Sequence, residues 1–309
     1  MRKAGFPKLR RLLYPLWVIG VVYLLYLGIQ TLFLFLGNFL CYLLKLRWKY
    51  EELNPELLTP DFLLTFFLGL LPLFLAFFLA KKLVFGRRFL PRFFPASPLA
   101  LADLCFGFGL GGLLFALLFL AFNALGWIRV TAGPALTWAD LFWLVLTFLA
   151  SALFEELLYR GLHFPVLAVH WGLAPGIAFS AFLFSLAHLY NPHLNFLGLF
   201  GILIAGVLFA LCTLLTGALY LPVALHFSWN FFQNLFGFRV SGFAFPSLFQ
   251  LEVTGPPLWT GGAFGPEAGL SGLVLLLLAI GVTVLYGRHR RPAWLRFLLF
   301  TDPPVKNRP

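Results

Sequence analysis

The chain has 309 residues, 61% of them hydrophobic, 40 of them Phe and only 11% charged. That balance leaves too little polar surface for a soluble domain and is the composition of a polytopic membrane protein. The net charge of +11 does not point to nucleic acid, because the basic residues sit in short clusters between apolar runs and no groove-reading motif accompanies them.

Arg2, Lys3, Lys8, Arg10 and Arg11 precede an apolar run over 12–40. This run is longer than the apolar core of a cleaved signal peptide, so it reads as a retained first span with a cytoplasmic N-terminus. Lys45, Arg47 and Lys49, mixed with Glu51, Glu52 and Glu56, lead to a second span over 62–80, and Lys81, Lys82, Arg87, Arg88 and Arg92 follow it. A third span covers 98–122 and contains Gly107, Gly109, Gly111 and Gly112. No strand precedes these glycines and no Gly-Lys-Ser/Thr follows them, so they read as a helix-packing stripe and not a phosphate loop. Asp103, near the start of this span, is expected at headgroup level.

Thr137 and Asp140 have capping-box spacing and should open a fourth helix that runs to about residue 163. The following stretch, with His163, Pro165, His170 and Gly172, is expected at the membrane interface. A fifth span then covers 175–190 and a sixth 196–215; Thr216-Gly217 turns the chain into a seventh over 220–236. The Gly- and Pro-rich but apolar connection 238–270 should cover the bundle at its outer interface. An eighth span over 271–286 ends at Arg288, His289, Arg290 and Arg291, and 294–300 reads as a short interfacial helix. The basic clusters at the start, after the second span and after the eighth fall on one side, which makes both termini cytoplasmic. The expectation is a single membrane domain over 1–309, an all-α polytopic bundle of about eight transmembrane helices in the cell membrane. Cys41, Cys105 and Cys212 lack a C-x-x-C spacing and read as small core residues.

Charge inside a span is costly and needs a partner or a task. The fourth helix carries Phe154-Glu155-Glu156-Leu157-Leu158-Tyr159-Arg160. Glu156 and Arg160 are four apart and share a face in the favourable order for an ion pair. Glu155 points about 100° away and is left without a partner on its own helix. A Glu neutralised by Arg is a clamp, whereas an unpaired one is a candidate base. The fifth span carries His188, and the seventh carries His226 and Asn230 on one face. Three polar clusters on three spans most simply face one another, since lipid supplies no partners. His163, His170, His193 and His289 fall at expected interfaces, and Ser180, Ser185 and Ser228 read as packing hydroxyls.

A carboxylate, two imidazoles and a carboxamide suit amide hydrolysis by an activated water. Glu, His and His also form a zinc ligand set, and residue types alone do not separate the two. No His-Glu-x-x-His or Gly-x-Gly-Asp is present. The expected boundaries put Glu155 and His226 about 10 Å from the cytoplasmic side and His188 about 20 Å from it. Bringing them together requires helix tilt or a fifth helix that starts deeper.

Glu155-Glu156-x-x-x-Arg160, Phe184-x-x-x-His188 and His226-x-x-x-Asn230, in this order on three spans, resemble the three motifs of the CPBP family of CAAX-processing and bacteriocin-protection membrane proteins. The resemblance covers about 140–236, the expected catalytic core. It implies an intramembrane endopeptidase similar to the CAAX prenyl protease of the Ras-converting type, of glutamic type and without a metal cofactor. In it Glu155 and His188 would activate water, His226 and Asn230 would bind the oxyanion, and Glu156 and Arg160 would support them. Family members have also been described as metalloproteases, so the alternative is zinc held by Glu155, His188 and His226. The implied partners are the lipid bilayer and a peptide or protein substrate, prenylated tails being the best-known substrates of the family. A non-catalytic bacteriocin-immunity or scaffold protein is the competing class. A proton-coupled transporter is disfavoured by the absence of an internal repeat.

Overall fold

Lipid offers the backbone no hydrogen-bond partners, so long apolar runs must satisfy their own N–H and C=O groups as helices. In the computed structural model, which describes residues 8–43, 60–80, 93–132 and 136–288, each expected span is helical. The order is α1 (Lys8–Leu43), α2 (Pro60–Ala80), α3 (Ala100–Ala124), β1 (Ile128–Ala132) and α4 (Trp138–Glu156). A π-helical turn (Leu157–His163) leads from α4 into α5 (Phe164–Trp171). Then come α6 (Leu173–Leu186), α7 (Phe196–Thr216), α8 (Tyr220–Leu235), β2 (Phe249–Val253), the short α9 (Pro257–Thr260) and α10 (Leu270–Gly287).

Among the described residues, five helical stretches are long and apolar enough to cross a membrane: 12–36, 100–124, 138–171, 196–216 and 270–287. The chain is a multi-pass, all-α membrane bundle. Its outward faces are apolar, as a lipid-facing surface requires, with Leu24, Phe35, Phe78 and Leu101 all exposed. The seventh expected span, α8, is not among the five; it carries His226, Ser228, Asn230, Gln233 and Asn234, and these are buried inside the protein instead.

Packing around α8 is set by small residues. Gly107 and Gly111, one turn apart on α3, admit its backbone: a Cβ on Gly107 would meet Leu225 N at 2.9 Å, and one on Gly111 would meet Trp229 N at 2.9 Å. Ser228 Oγ seals the contact by donating to Gly107 O (3.0 Å). The packing stripe expected on the third span is thus the α3–α8 seam. Asp103 lies in the first turn of α3. It is buried, and it accepts the Tyr286 hydroxyl (2.8 Å), which ties α3 to α10.

The capping box at Thr137 and Asp140 opens α4 as expected. The helix then runs on past residue 163 to Trp171. Pro165 in a regular α-helix would clash with the carbonyl four residues back; the wider π turn immediately before α5 relieves that clash, and the helix continues. His163 is therefore fully buried, its ring packed on Tyr23 and Tyr159, which corrects the interfacial, solvated position expected for it. His170 is half-buried, packs on Tyr14, and has its Nδ1 2.8 Å from Val166 O. His193 is exposed, with φ 59°.

Gly172, at φ 102°, reverses the chain after α5, and α6 runs back along it. The fifth helix is shorter than the expected 175–190: it ends at Leu186, and 187–190 form a turn. Gly217, in the left-handed conformation (φ 67°), makes the equivalent reversal between α7 and α8.

The connection after α8 folds back over the bundle. Phe238, Val240 and Phe264 are buried in it, and β2 pairs antiparallel with β1, Val130 opposite Leu251. This two-stranded ribbon is an addition to the all-helical expectation. The amides of α8 anchor the cover, Gln233 Nε2 donating to Arg239 O (2.6 Å) and Asn234 Nδ2 to Pro246 O (2.9 Å). Arg2, Lys3, Lys45, Arg47, Lys49, Lys81, Lys82, Arg87, Arg88, Arg92, His289, Arg290 and Arg291 lie outside the described residues, as do the acidic Glu51, Glu52 and Glu56 and the helix expected over 294–300.

Candidate active site

The long fourth helix resolves the depth mismatch expected for His188. Gly172 lies 17 residues after Glu155 and 16 before His188, so a chain that climbs one helix and descends the next returns to the same level. Gly206 and His226 flank the Gly217 turn in the same way, 11 residues before it and nine after. Two reversals thus bring α4, α6, α7 and α8 together at one depth.

Beneath the site lies a closed cluster. Arg160 and Glu156 are wholly buried and joined, Arg160 Nη1 to Glu156 Oε1, at 3.0 Å. The other guanidinium arm donates to Gly206 O (3.1 Å), and the guanidinium carbon stands 4.4 Å from the Phe184 ring centre. The same Glu156 Oε1 lies 2.9 Å from His226 Nδ1. A carboxylate bound to Arg only accepts, so His226 Nδ1 carries the proton here. The His226 ring also stacks on Phe209, with centroids 4.6 Å apart. Glu156 therefore does more than the clamp expected of it: it fixes the orientation and tautomer of His226.

Above this cluster Glu155 faces an open space. Its Oε1 accepts from Ser151 Oγ (3.3 Å), four residues back on the same helix, which corrects the expectation that Glu155 has no partner there. Its Oε2 has no hydrogen-bond partner among the described residues. That oxygen is 3.8 Å from His188 Nε2 and 3.9 Å from His226 Nε2. His188 Nδ1 is 2.8 Å from Phe184 O. A carbonyl likewise only accepts, so both imidazoles hold their Nδ1 proton in the protein and turn Nε2 toward Glu155.

Glu155, His188, His226 and Asn230 line one cavity of about 380 Å3. All four expected catalytic residues are brought together, with Glu156 and Arg160 just below. The cavity also contains residues that the motifs do not mark. Ser151 and Tyr159 stand four residues either side of Glu155, a helical-face signal readable in the sequence. Asn191, Trp229, Ser241 and Glu267 also line it. Glu267 comes from the cover, where no periodicity or motif distinguishes it.

The donor types suit zinc, but their separations do not. Tetrahedral zinc with bonds of about 2.0–2.1 Å needs ligand atoms roughly 3.3 Å apart, and the 3.8 and 3.9 Å spacings exceed that. Among the described residues no group of three or more His, Cys, Asp or Glu side chains is placed to hold a metal ion. Cys212 is buried and Cys105 exposed, neither in a disulfide.

Residues 136–232, which span α4 to α8 and contain the whole cluster, match the family model described as type II CAAX prenyl endopeptidase Rce1-like. These residues, about a third of the chain, are similar to that family. The match agrees with the CPBP resemblance read from the three motifs and supports a CAAX-type membrane endopeptidase acting on a peptide or protein. The match begins after β1 and ends before the cover, so Glu267 and the β1–β2 ribbon lie outside it. No curated protein and no solved structure matches the chain.

Proposed function

We propose that the chain is a glutamic-type intramembrane endopeptidase, hydrolysing a peptide bond in the cavity between α4, α6, α7 and α8. The observation that carries this reading is the unpartnered Glu155 Oε2, which faces His188 Nε2 and His226 Nε2 at 3.8 and 3.9 Å. A water donating one O–H to Glu155 Oε2 and the other to His188 Nε2 keeps a lone pair for attack. Glu155 takes the proton as the hydroxide adds to the scissile carbonyl, and it returns that proton to the leaving amine as the C–N bond breaks. Asn230 Nδ2 donates to the oxyanion. His226 does so once its Nε2 has taken up a proton from solvent ahead of the attack, and Glu156 stabilises the resulting imidazolium through Nδ1.

The substrate on this reading is a membrane-associated polypeptide, with prenylated C-terminal segments the first class to test, cleaved within the bilayer of the cell membrane. Both termini are cytoplasmic, and residues 1–309 act as one membrane domain. The test is hydrolysis of matched prenylated and unmodified peptides by purified protein in detergent. Cleavage of the prenylated peptide supports the reading. Cleavage of neither, by a protein shown to bind both, contradicts it.

A further inference from the structure

The acidic and basic side chains lining the cavity are Glu155, His188, His226 and Glu267. The first three belong to the water-activating group, and the fourth has no role in it. Glu267 sits in a short 3-10 turn of the cover (Pro266–Ala268) and reaches down to α8. Its Oε1 accepts from Trp229 Nε1 (3.3 Å) and its Oε2 from Ser241 N (2.7 Å) and Ser241 Oγ (3.1 Å). A carboxylate has about four acceptor positions; three are filled here, all by uncharged donors. Among the described residues, no Lys, Arg or His nitrogen forms an ion pair with it.

Glu267 therefore has no ion-pair partner among the described residues, beside a cavity whose other wall residues are mostly apolar, among them Phe148, Ile202, Val240, Phe243 and Phe245. Two permanent cations lie nearby and both are committed elsewhere: Arg160 to Glu156 and Gly206 beneath the floor, and Arg239 of the cover to Gly242 O (3.3 Å). If one imidazolium offsets Glu155, the cavity still carries the charge of Glu267. Low-dielectric walls strengthen that field over its value in water.

We propose that Glu267 is a specificity-determining residue, selecting substrates with a cationic side chain close to the scissile bond and rejecting acidic ones. The proposal rests on the endopeptidase reading for its biological meaning, but its test does not. Fluorescent peptides of one sequence, carrying Lys, norleucine or Glu in turn at each position flanking the expected scissile bond, are titrated against the purified full chain. Binding is read by anisotropy, and hydrolysis is followed separately.

At one position Lys binds at least about tenfold tighter than Glu, with norleucine between them, and in Glu267→Gln that ratio falls severalfold. Equal binding of the three peptides at every position overturns the proposal on wild type alone, even if the variant does not fold. A ratio unchanged in a folded Glu267→Gln overturns it as well. Lys preference in binding without cleavage of any peptide supports the role of Glu267 and sinks the endopeptidase reading. Cleavage with no charge preference does the reverse.

Discussion

Glu155 and Glu156 are consecutive residues of one helix, yet they stand in two unlike regions. Around Glu156 the structure is closed: a guanidinium and an imidazole converge on one oxygen, aromatic rings surround them, and no solvent reaches either charge. Glu155 instead lines the cavity, with one long hydrogen bond from Ser151 and a second oxygen, itself buried, that has no hydrogen-bond partner among the described residues. A helix advances about 100° per residue, so a single step in sequence separates a carboxylate held by Arg160 and His226 through one oxygen from one that lines the cavity. The first kind holds geometry. The second kind does chemistry.

The largest effect that would break this comparison comes from opening the closed region. Arg160→Met leaves Glu156 buried without its cation, and thermal unfolding in detergent should show a loss of about 3–5 kcal/mol. Activity should fall with it, because Glu156 orients His226; retention of full stability would mean that the pair is not the anchor described.

Next in size is Asn230→Ala. Loss of one oxyanion donor should lower kcat by about 10²–10³-fold while leaving KM and the melting temperature near wild type. A change confined to KM would move Asn230 from oxyanion to substrate binding.

Gly111→Val probes the frame that carries both regions. A side chain there meets Ser228 and the backbone of Trp229, so overpacking should cost about 1–3 kcal/mol in stability. An unchanged melting temperature would show that the α3–α8 seam yields easily.

Ser151→Ala should have the smallest effect. Removing the hydrogen bond to Glu155 Oε1 is worth about 1 kcal/mol, roughly fivefold in kcat, with no loss of fold. An effect as large as that of Asn230→Ala would make Ser151 part of the reaction itself.

The sequence made the bundle legible because apolar run length is a strong signal and because charges within spans are rare enough to mark a site. The three motifs led to Glu155, His188, His226 and Asn230, which the fold brings together in one cavity. The end of the fourth helix was not legible. Pro165 reads as a stop, and only the π turn before it, which no composition announces, lets the helix run on to Trp171. That extension equalises the depths of Glu155 and His188 and buries His163. The cover was legible only as apolar and Gly-rich. Its pairing through β1 and β2, and the approach of Glu267 to Trp229, depend on contacts between distant segments that local patterns do not encode.

The measurement that bears most directly on the glutamate-activated water is peptide hydrolysis by purified protein in detergent, wild type against Glu155→Gln, each with and without a strong zinc chelator. A water-activating Glu155 predicts activity that survives chelation and falls about 10²–10⁴-fold in the variant, which should melt like wild type. Activity lost on chelation and restored by zinc, or full activity in Glu155→Gln, would contradict it.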